Sequence, residues 1–209
     1  MGQMRDPMRA QETRVVRSEL PEDLWQPLYD RVNYPTGGST ELAFFQTPKG
    51  QSATLITAGS SGTKTKTYRD TNLETAGVVP TKLFKFVGIS IGYVNLTPGL
   101  ATNATDRENI RVGGYIRFRI VDKDILFLPL IALPEMNPYI AISTTANATT
   151  INSAAGGGGL GVSMYKFPIN VTLNPFENFA VLMDFDGTVT VTAAVDLYII
   201  LHGFMRRPT

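Results

Sequence analysis

Residues 188–204 read TVTVTAAVDLYIILHGF, and every odd-numbered residue from Val189 to Leu201 is apolar. Successive side chains of a strand point to opposite faces of a sheet, so this alternation predicts a strand with one face in a core. The second face is polar only as far as Asp196. Because a single domain has one core, we expect the N-terminal residues or another subunit to cover the rest of that face, which carries Tyr198, Ile200 and His202.

Strand-like patterns recur along the chain after residue 40. The runs lie at 41–47, 82–95, 110–120, 124–132, 138–144, 165–174 and 179–185. With 188–204 they make eight strands, and Asp186-Gly187 predicts a tight hairpin turn between the last two. We therefore predict an all-β domain over 41–209, a single eight-stranded antiparallel jelly-roll sandwich. An immunoglobulin-like sandwich is the alternative topology.

Residues 1–40 lack this alternation and predict an extended N-terminal arm. Pro21 and the acids that follow it favour a short helical turn around Trp25 and Tyr29. The arm carries an apolar set without a core of its own. We expect a subunit interface built from this set and from the covered face of the final strand: Trp25, Leu28, Tyr29, Val32, Tyr198 and Ile200.

Composition excludes several classes of site. The 209 residues include no cysteine and one histidine, and the net charge is +1. The chain therefore has no disulfide scaffold, thiol nucleophile, cysteine-ligated metal or multi-histidine metal site. The longest apolar run, 125–134, is about half the ~20 residues of a spanning helix, and the N-terminal residues lack the apolar region of a signal peptide.

No motif predicts catalysis or a cofactor. The glycine run at 156–161 lacks the following helix that a dinucleotide fingerprint requires, so we expect a loop there. Asp184-Phe185-Asp186-Gly187 lacks the further acids of a calcium loop and suits a turn better. We expect His202 to be a structural residue, and Glu135, Glu177 and Asp184 to lie in solvated turns at strand ends.

Basic residues concentrate in 63–85, where five cations face two acids. One interpretation is a solvated strand edge that lysines protect against pairing with other edges. The other is a nucleic-acid contact through Lys64, Lys66, Arg69, Lys82 and Lys85. Residues 1–20 have a net charge of only +1, unlike a polybasic tail, so we expect weak or no direct nucleic-acid binding by the chain.

Four segments together resemble the small major capsid proteins of tailless icosahedral bacteriophages and related environmental viruses. They are ELAFFQTPKG at 41–50, DTNLETAGVVP at 70–80, LNPFENFAV at 173–181 and LHGFMRRP at 201–208. The first and last resemble the opening and closing strands of a jelly-roll capsid domain. The resemblance implies a virion shell protein with one jelly roll per chain and without an active site.

We therefore expect a structural protein of the virion that forms an icosahedral shell with copies of itself, by symmetric contacts and exchange of N-terminal arms. Other virion proteins are candidate partners, and contact with a membrane stays open. The alternative is a carbohydrate-binding β-sandwich module or the receptor-binding head of a phage fibre. A jelly-roll enzyme is disfavoured by the lack of histidine ligands.

Overall fold

Antiparallel strands form most of this computed structural model, which describes residues 23–57, 60–79, 83–95, 101–136, 139–145, 148–154 and 164–206. These residues contain thirteen strands, one α-helix, α1 (Ala101–Gly113), and a 3₁₀ turn at Leu130–Ala132. The strands are β1 (Asp23–Trp25), β2 (Leu28–Tyr34), β3 (Glu41–Phe44), β4 (Ser52–Thr57), β5 (Ser60–Thr65), β6 (Leu83–Asn95), β7 (Gly114–Ile120), β8 (Lys123–Pro129), β9 (Tyr139–Thr145), β10 (Ala148–Ala154), β11 (Tyr165–Leu173), β12 (Phe179–Phe185) and β13 (Val195–Arg206).

The larger sheet has five strands and is organised around β13. One edge of β13 pairs with β6 along its whole length, and its other edge pairs with β2 and then with β1. Strand β11 pairs with the far side of β6. The final strand is therefore interior to a sheet, as its apolar alternation predicts. Gly203 allows the close approach to β6, because a Cβ there would lie 2.4 Å from the carbonyl oxygen of Lys85.

The second sheet has four strands in the order β3-β12-β7-β8. The predicted hairpin at Asp186-Gly187 is wrong, because β12 and β13 belong to different sheets. Both edges of β12 are occupied by β3 and β7, so no edge is left for β13. The turn at 186–187 instead begins the connection that carries the chain from one sheet to the other.

One core lies between the two sheets. The Phe86 ring on β6 meets the Phe118 ring on β7 at a centroid distance of 4.7 Å, which joins the sheets at their inner faces. The inward residues of β13 are fully buried in this core, as the alternation predicts. Other buried residues of both sheets contribute to it: Ile89, Ile91, Ile116, Val181 and Met183.

Helix α1 corrects the predicted strand at 110–120. The helix ends at Gly113, and β7 begins only at Gly114. Ile110 lies on α1 and is buried in the core, so its apolar side chain is explained by packing of the helix and not by a strand. The buried Asp106 carboxylate accepts hydrogen bonds from the backbone N–H and hydroxyl of Thr192, which holds α1 against the segment that leads into β13.

Residues 23–34 also differ from the prediction. They form β1 and β2 of the larger sheet and contain no helical turn at Trp25 or Tyr29. The boundary at residue 40 is thus not a boundary of the sheet, since β2 pairs with β13 over seven residues. Tyr34 belongs to the core, and its hydroxyl donates to the carbonyl oxygen of Val189 at 2.6 Å. The cause is pairing with a distant strand, which a local pattern does not encode.

Two small two-stranded sheets complete the described fold. Strands β4 and β5 pair with each other, as do β9 and β10. The run at 138–144 predicts β9, whereas β4, β5 and β10 are not predicted. Their sequences are rich in threonine and serine and lack a continuous apolar face.

Candidate subunit interface

One of the six predicted interface residues is buried, four are partly buried and one is exposed. Leu28 is in the core, and Val32 packs against it. Ile200 is half-buried on the outer face of β13. Only Trp25, with 47% of its surface exposed, offers a large accessible apolar side chain among the six. The predicted interface set is therefore wrong for Leu28, because pairing of β2 with β13 turns this residue inward.

The two tyrosines of the set contact a segment of the same chain. The Tyr29 hydroxyl donates to the carbonyl oxygen of Tyr68, and the Tyr198 hydroxyl donates to that of Arg69 at 3.0 Å. Thr71 forms an isolated antiparallel bridge with β2. Residues 66–73 thus cover part of β2 and the outer face of β13. The expectation of cover by the arm or a second subunit is thus wrong for Tyr198, whereas Trp25 of the predicted arm stacks on His202.

An ion network fixes this cover in place. Arg31 Nε donates to Asp196 Oδ2 at 2.6 Å, and its Nη1 donates to Asp70 Oδ1 at 3.1 Å. Its Nη2 donates to the carbonyl oxygen of Ile56 at 2.6 Å. All three charged side chains are buried. The guanidinium therefore joins β2, β13, β4 and the 66–73 segment, because its several donors can bind separate acceptors at once.

A second buried pair lies beside the network. Lys66 Nζ is 2.7 Å from Asp30 Oδ1, and the backbone N–H of Phe45 donates to Asp30 Oδ2 at 2.7 Å. Burial raises the pKa of Asp30, and the Lys66 ammonium opposes that rise. We call Asp30, Arg31, Lys66, Asp70 and Asp196 the buried ion network.

The basic residues of 63–85 do not form one surface patch. Lys66 is buried, so it is not available as a phosphate contact, which corrects its predicted role. Lys64 Nζ is 2.9 Å from Asp70 Oδ1, within the same network. Burial raises the pKa of Asp70, but hydrogen bonds from Lys64 and Thr67 outweigh it and place that pKa below its ordinary value. Arg69 and Lys85 are exposed, and Lys82 lies outside the described residues.

Three of the exposed apolar side chains lie at or near the turns at one end of the sandwich. Val121 in the β7–β8 turn, Ile169 on β11 and Phe176 in the β11–β12 turn are 53%, 58% and 67% exposed. Val121 and Ile169 line a groove of about 500 Å³, and the N–H of Val121 donates to the carbonyl oxygen of Asn178, beside Phe176 in the chain. We call Val121, Ile169 and Phe176 the turn patch.

Two residues of the turn patch have an unusual backbone. Val121 has a φ of 53° and Phe176 a φ of 64°, in the left-handed region that favours glycine or asparagine. A β-branched or aromatic residue with such a backbone is strained. Because its side chain is exposed in the single chain, no burial of apolar surface offsets that strain. A contact with another molecule that buries these side chains gives a physical reason for their presence. An apolar residue at a predicted turn is the sequence signal that identifies such positions.

A second surface lies on the outer face of the larger sheet. The strand register places Trp25 beside Phe204, Phe204 beside Lys85, and Lys85 beside Thr172, so these four residues form a row across β1, β13, β6 and β11. The Trp25 and Phe204 rings meet edge to face at 5.0 Å, and Trp25 stacks on His202 at 6.1 Å. We call the four residues Trp25, Phe204, Lys85 and Thr172 the sheet-face row.

His202 is hydrogen-bonded, in agreement with the structural role predicted for it. Its Nε2 lies 2.8 Å from Ser90 Oγ on the neighbouring β6. Burial lowers the pKa of His202, because the charged imidazolium is disfavoured away from water.

Two of the three acids expected in solvated turns are buried. Glu135 pairs with Arg111 at 3.2 Å, and burial raises its pKa while Arg111 opposes the rise. Asp184 is buried on β12 and accepts a 2.7 Å hydrogen bond from Arg117 on β7. Of the three, only Glu177 follows a turn without being buried, and it is half-buried there. In both cases an arginine on a neighbouring element pairs with the buried carboxylate.

Metal binding has no candidate site among the residues the structure describes. No group of three or more histidine, aspartate or glutamate side chains there could hold a metal ion. The glycine run at 156–161 lies outside the described residues. Within the described part of the chain, no helix has the length and apolar character needed to cross a lipid bilayer.

No protein-family model matches the chain, and no curated protein matches it. The function is therefore inferred from the fold and from the turn patch and the sheet-face row.

Proposed function

We propose that the chain is the shell-forming subunit of an icosahedral virion, with one jelly roll per chain. The observation that carries the proposal is the strand order of the two larger sheets. Taking β2, β3, β6, β7, β8, β11, β12 and β13 as strands one to eight, the sheets have the orders 1-8-3-6 and 2-7-4-5. This order supports a jelly roll, in which each sheet combines strands from both halves of the chain, and viral capsid domains use that architecture.

A fold alone does not determine a function, so the surfaces matter. The turn patch supports self-association, because three large apolar side chains are exposed together and two have strained backbones. Exposed apolar patches of this kind mark interaction sites in soluble proteins. Identical subunits that bury the same patch repeatedly under symmetry form closed shells.

The structure restricts which N-terminal residues are proposed to exchange between subunits. Strands β1 and β2 belong to the larger sheet, so arm exchange between subunits is proposed for residues 1–22 and not for residues 1–40. Strand β1, which follows these residues in the chain, pairs with the C-terminal end of β13.

Assembly tests the proposal directly. The full-length chain, purified and examined by sedimentation velocity and negative-stain electron microscopy from low to high micromolar concentration, is expected to form rings or closed particles. Uniform particles whose amount grows with concentration support the proposal. A chain that stays monomeric throughout this range, also in the presence of the other proteins of its source particle, contradicts it.

A carbohydrate-binding module or a phage fibre head is the second candidate. The observation that favours it is the Trp25–Phe204 ring pair on an open sheet face, since glycan sites present aromatic rings in this way. A module of this kind is expected to be a monomer or trimer at all concentrations. It is also expected to bind a glycan through Trp25, so the same sedimentation measurement separates the two candidates.

A further inference from the structure

The sheet-face row combines aromatic rings and positive charge on one open face. Beside the row lies a cavity of about 280 Å³. Its lining residues come from β6, β11 and β13: Leu83, Lys85, Asn170, Thr172, Phe204 and Arg206. Two cations, one aromatic ring and two uncharged hydrogen-bonding side chains thus meet at a single concave site.

The charge of this face is positive although the whole chain is nearly neutral. Lys85, Lys166 and Arg206 are all exposed there, on β6, β11 and β13. Asp23, the register partner of Arg206, is the one acidic residue that the described pairings place in these rows. Lys85 forms no ion pair with any side chain in the described part of the chain. An anionic ligand can therefore be bound here at low electrostatic cost.

We propose that this face binds single-stranded nucleic acid without sequence preference. Bases stack on the exposed rings of Trp25 and Phe204, and the phosphates next to them contact Lys85 and Arg206. Neighbouring strands of a sheet are about 4.8 Å apart, so the ring of Phe204 and the ammonium of Lys85 are close enough to contact a base and an adjacent phosphate of one nucleotide chain. Stacking on aromatic rings beside a cationic groove is the general mode of sequence-independent single-strand binding.

The rings make the single strand the preferred form. In a duplex the bases are stacked on one another, so the rings of Trp25 and Phe204 reach no base face and only the cations contribute. The site also differs from the strand-edge patch predicted from the sequence, of which only Lys85 belongs to it. The binding itself does not depend on shell formation. If the proposed function holds, this face of the subunit is the one directed towards the genome.

Fluorescence anisotropy with a labelled oligo-dT strand tests the proposal. The full-length chain is diluted below its assembly concentration, which sedimentation velocity verifies, and is titrated at several salt concentrations. We expect a Kd of about 1 to 100 µM at physiological salt, the ordinary range of non-specific binding. The duplex of the same length is expected to bind more weakly.

Two variants separate charge from stacking. Lys85→Gln is expected to lower the log–log salt slope by about 0.7, because one phosphate contact is lost. Phe204→Ala is expected to weaken binding by about 5- to 100-fold with the salt slope unchanged. The matched control is Lys49→Gln with Tyr68→Ala, a second exposed cation–aromatic pair whose ammonium lies 3.7 Å from the ring centroid. This control is expected to bind like the parent chain.

Other outcomes overturn the proposal. Binding that is undetectable, that is equal for duplex and single strand, or that falls by the same factor in the control shows that this face is no single-strand site. A sulfated or uronic polysaccharide that binds with the same dependence on Phe204, while oligo-dT does not bind, assigns the face to glycans. Each of these results leaves the assembly measurement unaffected, so failure here is distinct from failure of the shell function.

Discussion

Lys66 and Lys49 are both paired with a carboxylate, yet one pair is buried and the other lies in solvent. The Lys66–Asp30 pair is enclosed, whereas Lys49 and Glu74, 3.3 Å apart, are accessible to water. Lys66→Met leaves the Asp30 carboxylate buried without its counter-ion, so we expect a loss of about 3–5 kcal/mol in the free energy of unfolding. Lys49→Met is the control, with a much smaller expected loss, because water already screens that ion pair. Urea titrations measure both, and equal small losses would contradict the buried pair.

His202 makes the free energy of unfolding decrease as the pH falls. Burial holds its folded pKa below the 6.5 of the unfolded chain, so the unfolded chain takes up a proton first as the pH falls. The contribution of His202 is therefore complete above pH 6.5 and is lost as the pH falls from there through the folded pKa. The pKa of Glu135 is raised, which acts in the opposite sense at lower pH.

A substitution isolates the histidine, since no other is present in the chain. His202→Gln remains neutral, so its free energy of unfolding is expected to change less than that of the parent chain between about pH 7.5 and about pH 5.5. Urea unfolding at both pH values measures the difference. Parallel changes in the two proteins would show that His202 does not titrate differently on folding.

At the scale of elements, β2 determines where the chain can be shortened. Deletion of 1–22 removes none of the described strand pairs, so we expect its free energy of unfolding to equal that of the parent chain. Deletion of 1–35 removes β1, β2, the buried Leu28 and Tyr34, and the Arg31 guanidinium that joins four elements. The sequence pattern alone predicts a folded domain after this second deletion, whereas the structure predicts an unfolded one. Circular dichroism and thermal unfolding distinguish them, and a cooperative transition in the shorter chain would contradict the role of β2.

Strand β13 has two faces with different expected responses. Leu197 is fully buried, so Leu197→Ala is expected to lower the free energy of unfolding by about 2–5 kcal/mol through the cavity it leaves. Ile200 is only half-buried on the outer face, so Ile200→Glu is expected to cost less stability and to impair assembly instead. Denaturant titration and sedimentation velocity test the two effects separately. An equally severe loss of stability in both variants would refute the difference between the faces.

At the scale of the whole molecule, the proposed assembly depends on the turn patch. Ile169 is exposed, so Ile169→Asp is expected to change the free energy of unfolding by no more than about 0.5 kcal/mol. The same charge buried between subunits is expected to abolish particles in electron micrographs. Ile131→Asp is the control, because Ile131 is comparably exposed but lies on the 3₁₀ turn after the opposite end of β8. Particles that persist in Ile169→Asp would remove the turn patch from the interface.

Local patterns in the chain were sufficient for the all-β class and for most strands of the two larger sheets. Alternation with a period of two depends only on neighbouring residues, so it predicted β11 and β12 within one residue. It also predicted the buried face of β13, although that strand begins at Val195 and not at the predicted Thr188. The structural role of His202 was predicted from composition, because the chain lacks the further histidines of a metal site. Composition alone excluded disulfides and cysteine-ligated metals, because those need side chains that the chain lacks.

Pairing between distant residues was decided only by the tertiary structure. Arg31 and Asp196 are 165 residues apart, and neither has a local signal that marks it as buried and charged. Strand β2 exists because β13 has an open edge, and Asp186-Gly187 connects two sheets because β12 has none. The surfaces also depend on pairing between distant strands, because the register of β1, β13 and β6 brings Trp25, Phe204 and Lys85 into one row. The periodicity of the sequence determines the face of the sheet to which each side chain points, but the pairing between strands determines which side chains become its neighbours.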